Sequence, residues 1–313
     1  MATVLVKSGG EKAVAEWREA FQAVDPRFRV HWWEDPAVAP EAVDYVVVWE
    51  PKPGWLRTLP KLKVVFSSGA GVDHITCDPE WPRHLPLVRM GGDGTEQRMG
   101  EYIVWACLSL LREARTFARG QAEGKWLGRD VSRSAATCRV GILGLGNLGR
   151  RAAGMLQAIG FPVQGWSRSR KEVPGVRSFA GPEELPEFLA GTEILVCLLP
   201  STPETAGLID AGLLARLPRG AQVVNAGRGS HVVVPDLLAA LDAGRLDGAV
   251  LDVFEQEPLP PESPLWAHPK VTVTPHVASL PGRPERARYV AAAIADFEAG
   301  RPLPNLYDPV RGY

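Results

Sequence analysis

Cysteine is scarce. The four in 313 residues, Cys77, Cys107, Cys138 and Cys197, lie far apart, and none falls in a C-x-x-C pair. That argues against a disulfide framework and a zinc site, and no metal is expected. Free thiols fit a reducing, cytoplasmic setting. No uncharged apolar run reaches about 18 residues, so no membrane-spanning helix is expected. Residues 1–8 lack a basic segment leading into a long apolar stretch, so no signal peptide is read. Nor is there an excess charge of either sign. With 35 Lys and Arg against 36 Asp and Glu, the net charge is -1. That balance argues against nucleic acid or an acidic membrane as partner. Internal repeats and low-complexity tracts are also missing.

What is present is enough apolar residue, 45%, for an ordinary folded chain, and enough length for two cores. Short valine-rich runs at 3–7, 45–49 and 64–67 read as buried strands. A helix is expected over 11–21, with Val14, Trp17 and Phe21 on one face. A long helix is expected over 97–117, then a polar stretch over 121–134. From Arg139 the strand–helix alternation resumes, with strands expected at 162–166, 193–198, 222–225, 249–252 and 271–274. A last helix is expected over 285–297, before proline-rich coil. The alternation implies an α/β fold, with helices covering both faces of parallel sheets. The expected division is a substrate domain, 1–97 with 281–313, and a dinucleotide-binding domain, 98–280.

The segment from Val140 holds G-x-G-x-x-G at Gly144, Gly146 and Gly149. A buried strand precedes it, and a helix follows with Leu148, Ala152, Met155 and Ile159 spaced on one face. In that context the first glycine makes a tight turn, the second admits a pyrophosphate, and the third lets helix pack on strand. Asn147 and Leu148 open the helix, whose free N–H groups and dipole favour phosphate. The next strand ends in Ser167-Arg168-Ser169-Arg170-Lys171, where an NAD enzyme usually carries an acid for the ribose 2′-hydroxyl. Hydroxyls and guanidiniums instead suit a 2′-phosphate, so Ser167, Arg168 and Arg170 favour NADPH, with NADH possible but weaker.

Three further segments fall at the ends of expected strands: Asn225-Ala226-Gly227-Arg228-Gly229, the run from Asp252 to Leu259, and Thr274-Pro275-His276-Val277-Ala278. Ligands of open α/β sheets gather at such ends. With these residues and Gly69-Ala70-Gly71-Val72-Asp73, the chain resembles the D-isomer-specific 2-hydroxyacid dehydrogenases, most of all their glyoxylate/hydroxypyruvate reductase A branch. The resemblance implies two Rossmann-like domains, the cofactor domain inserted into the substrate domain, with an active site in the cleft. It also implies a homodimer built through the long helix and the arm after it.

It assigns Arg228 to the substrate carboxylate and carbonyl oxygen, His276 to acid/base work, and Glu257 to the carboxylate paired with that histidine. Asp252 would contact the nicotinamide amide, and Leu199, Pro200 and Thr205 would flank the cofactor. Ala226 and Gly227 are small enough for close cofactor approach. The N–H groups of Ala70 and Gly71 would cradle the substrate carboxylate, and Trp49, Met99 and Tyr102 would shape a small pocket. The chemistry agrees. Hydride delivery to a ketone makes an alkoxide, which needs a proton and fixed positive charge. One departure is the 91–95 segment, looser than the asparagine-centred version of many NAD-linked relatives. Two other readings stand beside this one. One is an NAD-linked D-2-hydroxyacid dehydrogenase of another substrate class. The other is a dinucleotide-sensing regulator on the same fold, against which a short tail ending at Tyr313 argues.

Overall fold

The computed structural model describes residues 2–128, 133–310 and 312. Met1, the centre of the polar stretch at 129–132, Arg311 and the terminal Tyr313 lie outside the described residues. The chain divides into two compact units, one of Met1–Thr95 with Leu280–Tyr313, the other of Glu96–Ser279.

The first unit runs β1 (Ala2–Lys7), α1 (Val14–Val24), β2 (Phe28–Trp32), β3 (Tyr45–Val48), β4 (Val64–Ser67), α2 (Asp73–Thr76) and β5 (Leu87–Val88). The strands form one parallel sheet in the order β2-β1-β3-β4-β5. β3 and β4 are buried throughout, as strands covered on both faces must be. Val4, Val6, Trp17 and Phe21 build the core on one face, while Leu5, Val46, Val48 and Val65 build that on the other.

α3 (Asp93–Leu111) leads into the second unit and is followed by α4 (Ala114–Ala122). Here the structure corrects the expected single helix. The chain turns at Glu113, whose φ of 54° is left-handed. Leu110 and Leu111 stay in the core, whereas Gly120 is the buried residue of α4. The helix thus ends in a left-handed turn made without glycine or proline.

Then come β6 (Val140–Leu143), α5 (Asn147–Ile159), β7 (Val163–Ser167), β8 (Arg177–Ala180), α6 (Gly181–Ala190), β9 (Ile194–Cys197), α7 (Ala211–Leu214), β10 (Ala221–Asn225), α8 (Val234–Asp242), β11 (Leu246–Leu251) and β12 (Val271–Val273). All seven strands are parallel, in the order β12-β11-β10-β9-β6-β7-β8. The buried face of α5 is Gly149, Ala152, Ala153 and Leu156, and Ile159 is exposed, so the stripe sits one residue away from the spacing read in the sequence. The chain then returns to the first unit with α9 (Arg283–Glu298), whose Ala287, Val290, Ala291 and Ile294 close its core against α1. Both sheets are of the doubly wound α/β type. Their order reverses beside β1 and β6, which is where such sheets bind ligands.

Candidate active site

The turn after β6 has the geometry a dinucleotide needs. Gly144 has a φ of 103°, and a Cβ there would sit 2.8 Å from the Leu198 carbonyl oxygen. A Cβ on Gly149 would fall 1.9 Å from the Gly144 oxygen, so no other residue lets α5 approach so closely. A Cβ on Gly146, by contrast, would meet nothing within 4 Å, which leaves room for a ligand against the backbone. α5 starts there with no side-chain cap, and its first N–H groups face that space.

Ser167, at the end of β7, is buried, and its hydroxyl accepts the Leu145 N–H at 3.1 Å. Its visible work is to hold the glycine turn. Arg170 is also engaged, with the Ser178 carbonyl oxygen and Glu184, so it would have to exchange partners to bind a 2′-phosphate. Hydrogen bonds from its own backbone and from Thr202, and then the charge of Arg168, hold the Glu204 carboxyl below its usual range. Arg168 thus lies beside the turn after β9. In that turn the Thr205 hydroxyl donates to the Pro200 carbonyl oxygen at 2.7 Å, and Leu199 is buried.

The ends of β10, β11 and β12 carry the remaining groups. Asn225, wholly buried, accepts the Gly227 N–H at 3.1 Å and donates to the Arg228 carbonyl oxygen at 2.8 Å, so Arg228 leaves a fixed turn. Ala226 beside it is buried. A Cβ on Gly229 would lie 1.8 Å from the Phe254 carbonyl carbon. The Arg228 turn is therefore pressed directly on the loop that carries Glu257. That carboxylate accepts the Phe254 N–H at 2.9 Å through one oxygen and meets His276 Nδ1 at 2.7 Å through the other. Both side chains are about one-third exposed. His276 itself has a left-handed φ of 53°.

Asp252 holds that turn in place. Buried, it accepts the Thr274 hydroxyl at 2.6 Å and the Val277 and Ala278 N–H groups at 2.9 Å each. Tyr102 in turn donates to Thr274 at 2.7 Å, and burial pushes its phenol well above the ordinary value. The work of Asp252 visible within the chain is thus to shape the His276 loop.

In the first unit, the Ser67 hydroxyl spans the Gly69 and Gly71 carbonyl oxygens at 2.9 and 2.8 Å. The Gly69 carbonyl also accepts the Met90 N–H at 3.0 Å. With its carbonyls turned to these donors, the loop leaves the N–H groups of Ala70 and Gly71 without an acceptor among the described residues. Trp49 closes one side, since a Cβ on Gly69 would sit 2.7 Å from its ring, and it stacks on His74 at 4.1 Å between ring centroids. Met99, assigned above to a substrate pocket, is 5% exposed and packs in the core of the second unit.

His231 escaped the sequence reading. Fully buried, it accepts the Arg228 N–H on Nδ1 at 3.1 Å, and its Nε2 lies 3.1 Å from the Pro200 carbonyl oxygen. Its Nδ1 is also 3.4 Å from the Cys197 sulfur, whose thiol burial pushes up to about 12. It ties the Arg228 turn to the turn after β9. The available signal was its position three residues after Arg228, which alone does not separate it from a surface histidine.

The model of the D-isomer specific 2-hydroxyacid dehydrogenase NAD-binding domain matches residues 104–278. A D-isomer specific 2-hydroxyacid dehydrogenase from Xanthobacter autotrophicus Py2, solved with NADPH and MES, is 43% identical, with a TM-score of 0.93 over 100% of this chain and 99% of that one. An NADPH-dependent glyoxylate/hydroxypyruvate reductase from Sinorhizobium meliloti, solved with NADP and sulfate, is 42% identical over the full length of both chains, with a TM-score of 0.89. A probable 2-hydroxyacid dehydrogenase from Rhizobium etli CFN 42, solved with NADP, HEPES and L(+)-tartaric acid, is 37% identical over 100% and 99%, at 0.91. Family model, full-length likeness and glycine turn agree, and the chain belongs to the D-isomer specific 2-hydroxyacid dehydrogenase family.

Proposed function

We propose that this protein reduces a small 2-keto acid, glyoxylate or hydroxypyruvate, to the D-2-hydroxy acid with NADPH. The observation that carries the reading is the 2.7 Å contact between His276 and Glu257, on a loop packed against the Arg228 turn. Glu257 holds Nδ1 and orients the ring, and Nε2 of His276 gives a proton to the developing alkoxide. Arg228 supplies permanent charge and a planar fork for the keto-acid carboxylate and carbonyl oxygen. In the first unit, the N–H groups of Ala70 and Gly71 are donors suited to a carboxylate, and Trp49 limits the space beside them. NADPH supplies the hydride when bound. Gly144, Gly146, Asn147, Leu148 and Gly149 receive its pyrophosphate. Arg168, with Ser167 and Arg170, receives the 2′-phosphate. Leu199, Pro200, Thr205, Ala226 and Gly227 line the remainder, and Asp252 faces the amide through the loop that it holds.

The NADPH-bound Xanthobacter and NADP-bound Sinorhizobium structures support the cofactor choice. We also infer a cytoplasmic homodimer formed through α3 and α4. Trp105 and Phe117 are exposed there, at 43% and 37%, and Val104, Leu108 and Met155 line an apolar depression beside Trp105. Sedimentation at micromolar protein should give twice the chain mass; a monomer would remove this part.

A panel of 2-keto acids run with NADPH and with NADH tests the reaction. The expected result is turnover of glyoxylate and hydroxypyruvate, faster with NADPH. Preference for NADH would favour a differently linked dehydrogenase. Tight NADPH binding with no turnover of any keto acid would favour a dinucleotide-sensing regulator.

A further inference from the structure

We propose that the first unit holds a second ligand site, for a small oxyanion, between the start of α1 and two arginines of α9. It lies within one unit and stands apart from the reductase reading.

β1 ends in Ser8-Gly9-Gly10, and a turn of 3-10 helix, Glu11–Ala13, leads directly into α1. Gly10 caps this helical segment with a φ of 81° and no side-chain hydrogen bond. A Cβ on Gly10 would meet nothing within 4 Å, so the uncapped turn borders open space. α9 brings Arg283 and Arg286 to the same place. Arg283 lies on Gly9, where a Cβ would be 2.8 Å from its Nη2, and it pairs with Glu16 of α1. The Arg286 guanidinium carbon is 5.1 Å from the Trp17 ring, whose indole N–H donates to the Ser8 carbonyl oxygen at 3.2 Å. Turn, indole and both guanidiniums are therefore one cluster.

Arg286 is the anomaly. It is 8% exposed, and its backbone N–H meets the Gly282 carbonyl oxygen, but among the described residues no acceptor meets its buried Nε or the rest of its guanidinium. The Arg283 Nε is buried without an acceptor as well. Glu16, the carboxylate whose charge acts on Arg286, already pairs with Arg283. Burial, and then the charge of Arg283, push the Arg286 pKa down, as expected of an under-compensated cation. The Trp17 face stabilises a cation without accepting a hydrogen bond. A buried guanidinium normally has acceptors, and its flat fork matches the paired oxygens of phosphate, sulfate or carboxylate. Backbone N–H groups at the uncapped turn add donors of the same kind. The ligand class is thus a small oxyanion, free or carried on a metabolite.

The test follows thermal melting of the NADPH-saturated protein as inorganic phosphate, sulfate or acetate is added, against chloride at equal ionic strength. The native protein should gain Tm in a saturable way with at least one oxyanion. Without oxyanion, Arg286→Met should melt at or above the native temperature, because replacing an under-compensated buried charge by an apolar side chain relieves its cost. With oxyanion it should lose the saturable rise. Arg168→Ala at saturating NADPH should keep the rise, which separates this site from the 2′-phosphate site. Should the Met variant fail to fold, Arg286→Lys keeps the charge, loses the fork and should weaken the oxyanion at least tenfold. Response to phosphate and sulfate alone would give a tetrahedral ligand, and an equal response to acetate a carboxylate. A native protein that responds no more to oxyanions than to chloride, or an unchanged rise in Arg286→Met or Arg286→Lys, would overturn the site.

Discussion

The two units dispose of their hydrogen-bonding groups in opposite ways. At the ends of β10, β11 and β12 the groups are already engaged. Glu257 uses both oxygens, Asp252 holds three donors, and Asn225 and His231 fix the backbone around Arg228. At the ends of β4 and β1, donors on Ala70, Gly71 and the Arg286 guanidinium have no acceptor among the described residues. The difference separates two tasks. Moving a proton demands groups whose positions are set before substrate arrives. Capturing an anion demands donors that the chain has not itself satisfied. Substitutions at the ends of β10, β11 and β12 should therefore act mainly on kcat, and those in the glycine loop of the first unit on KM.

The largest effect should come from His276→Asn. Asparagine tolerates the left-handed φ of 53°, so the loop should survive while the proton donor is lost. kcat for keto-acid reduction should fall about 10²–10⁴-fold with NADPH affinity retained. A variant within a few-fold of native turnover would remove His276 from the chemistry. Next in size is Arg228→Lys, which keeps charge but not the fork, with kcat/KM falling on the order of 100-fold. An unchanged NADPH Kd, read by fluorescence titration, should accompany it.

Arg168→Ala should weaken NADPH by about 1.5–3 kcal/mol, as for a charged hydrogen bond, and leave NADH nearly unaffected. Equal loss for both cofactors would move the 2′-phosphate elsewhere. A smaller change is expected from Ser67→Ala, which frees the Gly71 carbonyl and leaves that of Gly69 to Met90 alone. KM for glyoxylate should rise a few-fold with kcat nearly constant; a fall in kcat alone would break the contrast between the units.

The smallest concerns the thiols. Cys107 and Cys197 are buried, and so is Cys138, and burial raises all three, Cys138 to about 11. Thiolate is the reactive form, so at neutral pH alkylation should stop at one adduct, on exposed Cys77, by intact mass.

Much of this fold was legible because buried parallel strands read as plain apolar runs. β3 and β4, buried at every residue, are bounded to within one residue by the sequence. β2 and β8 escaped notice because edge strands are half exposed and carry Arg29, His31 and Arg177 among their apolar residues. β5 is two residues long, too short for any period. The glycine turn was legible in its roles, since each glycine answers a local steric demand. The engagements of Ser167 and Arg170 were not, because they depend on Leu145, Ser178 and Glu184, set by tertiary packing. The same holds for Met99, whose burial in the second unit no local pattern records.

The product decides whether Arg228, His276 and Glu257 make this chain an NADPH-linked reductase of small 2-keto acids. Hydroxypyruvate and NADPH would be incubated with native protein and with His276→Asn, and cofactor loss compared with glycerate resolved on a chiral column. One NADPH should be consumed per D-glycerate formed by the native protein, and almost none by the variant. L-glycerate, or no glycerate from a native protein that still binds NADPH, would contradict it.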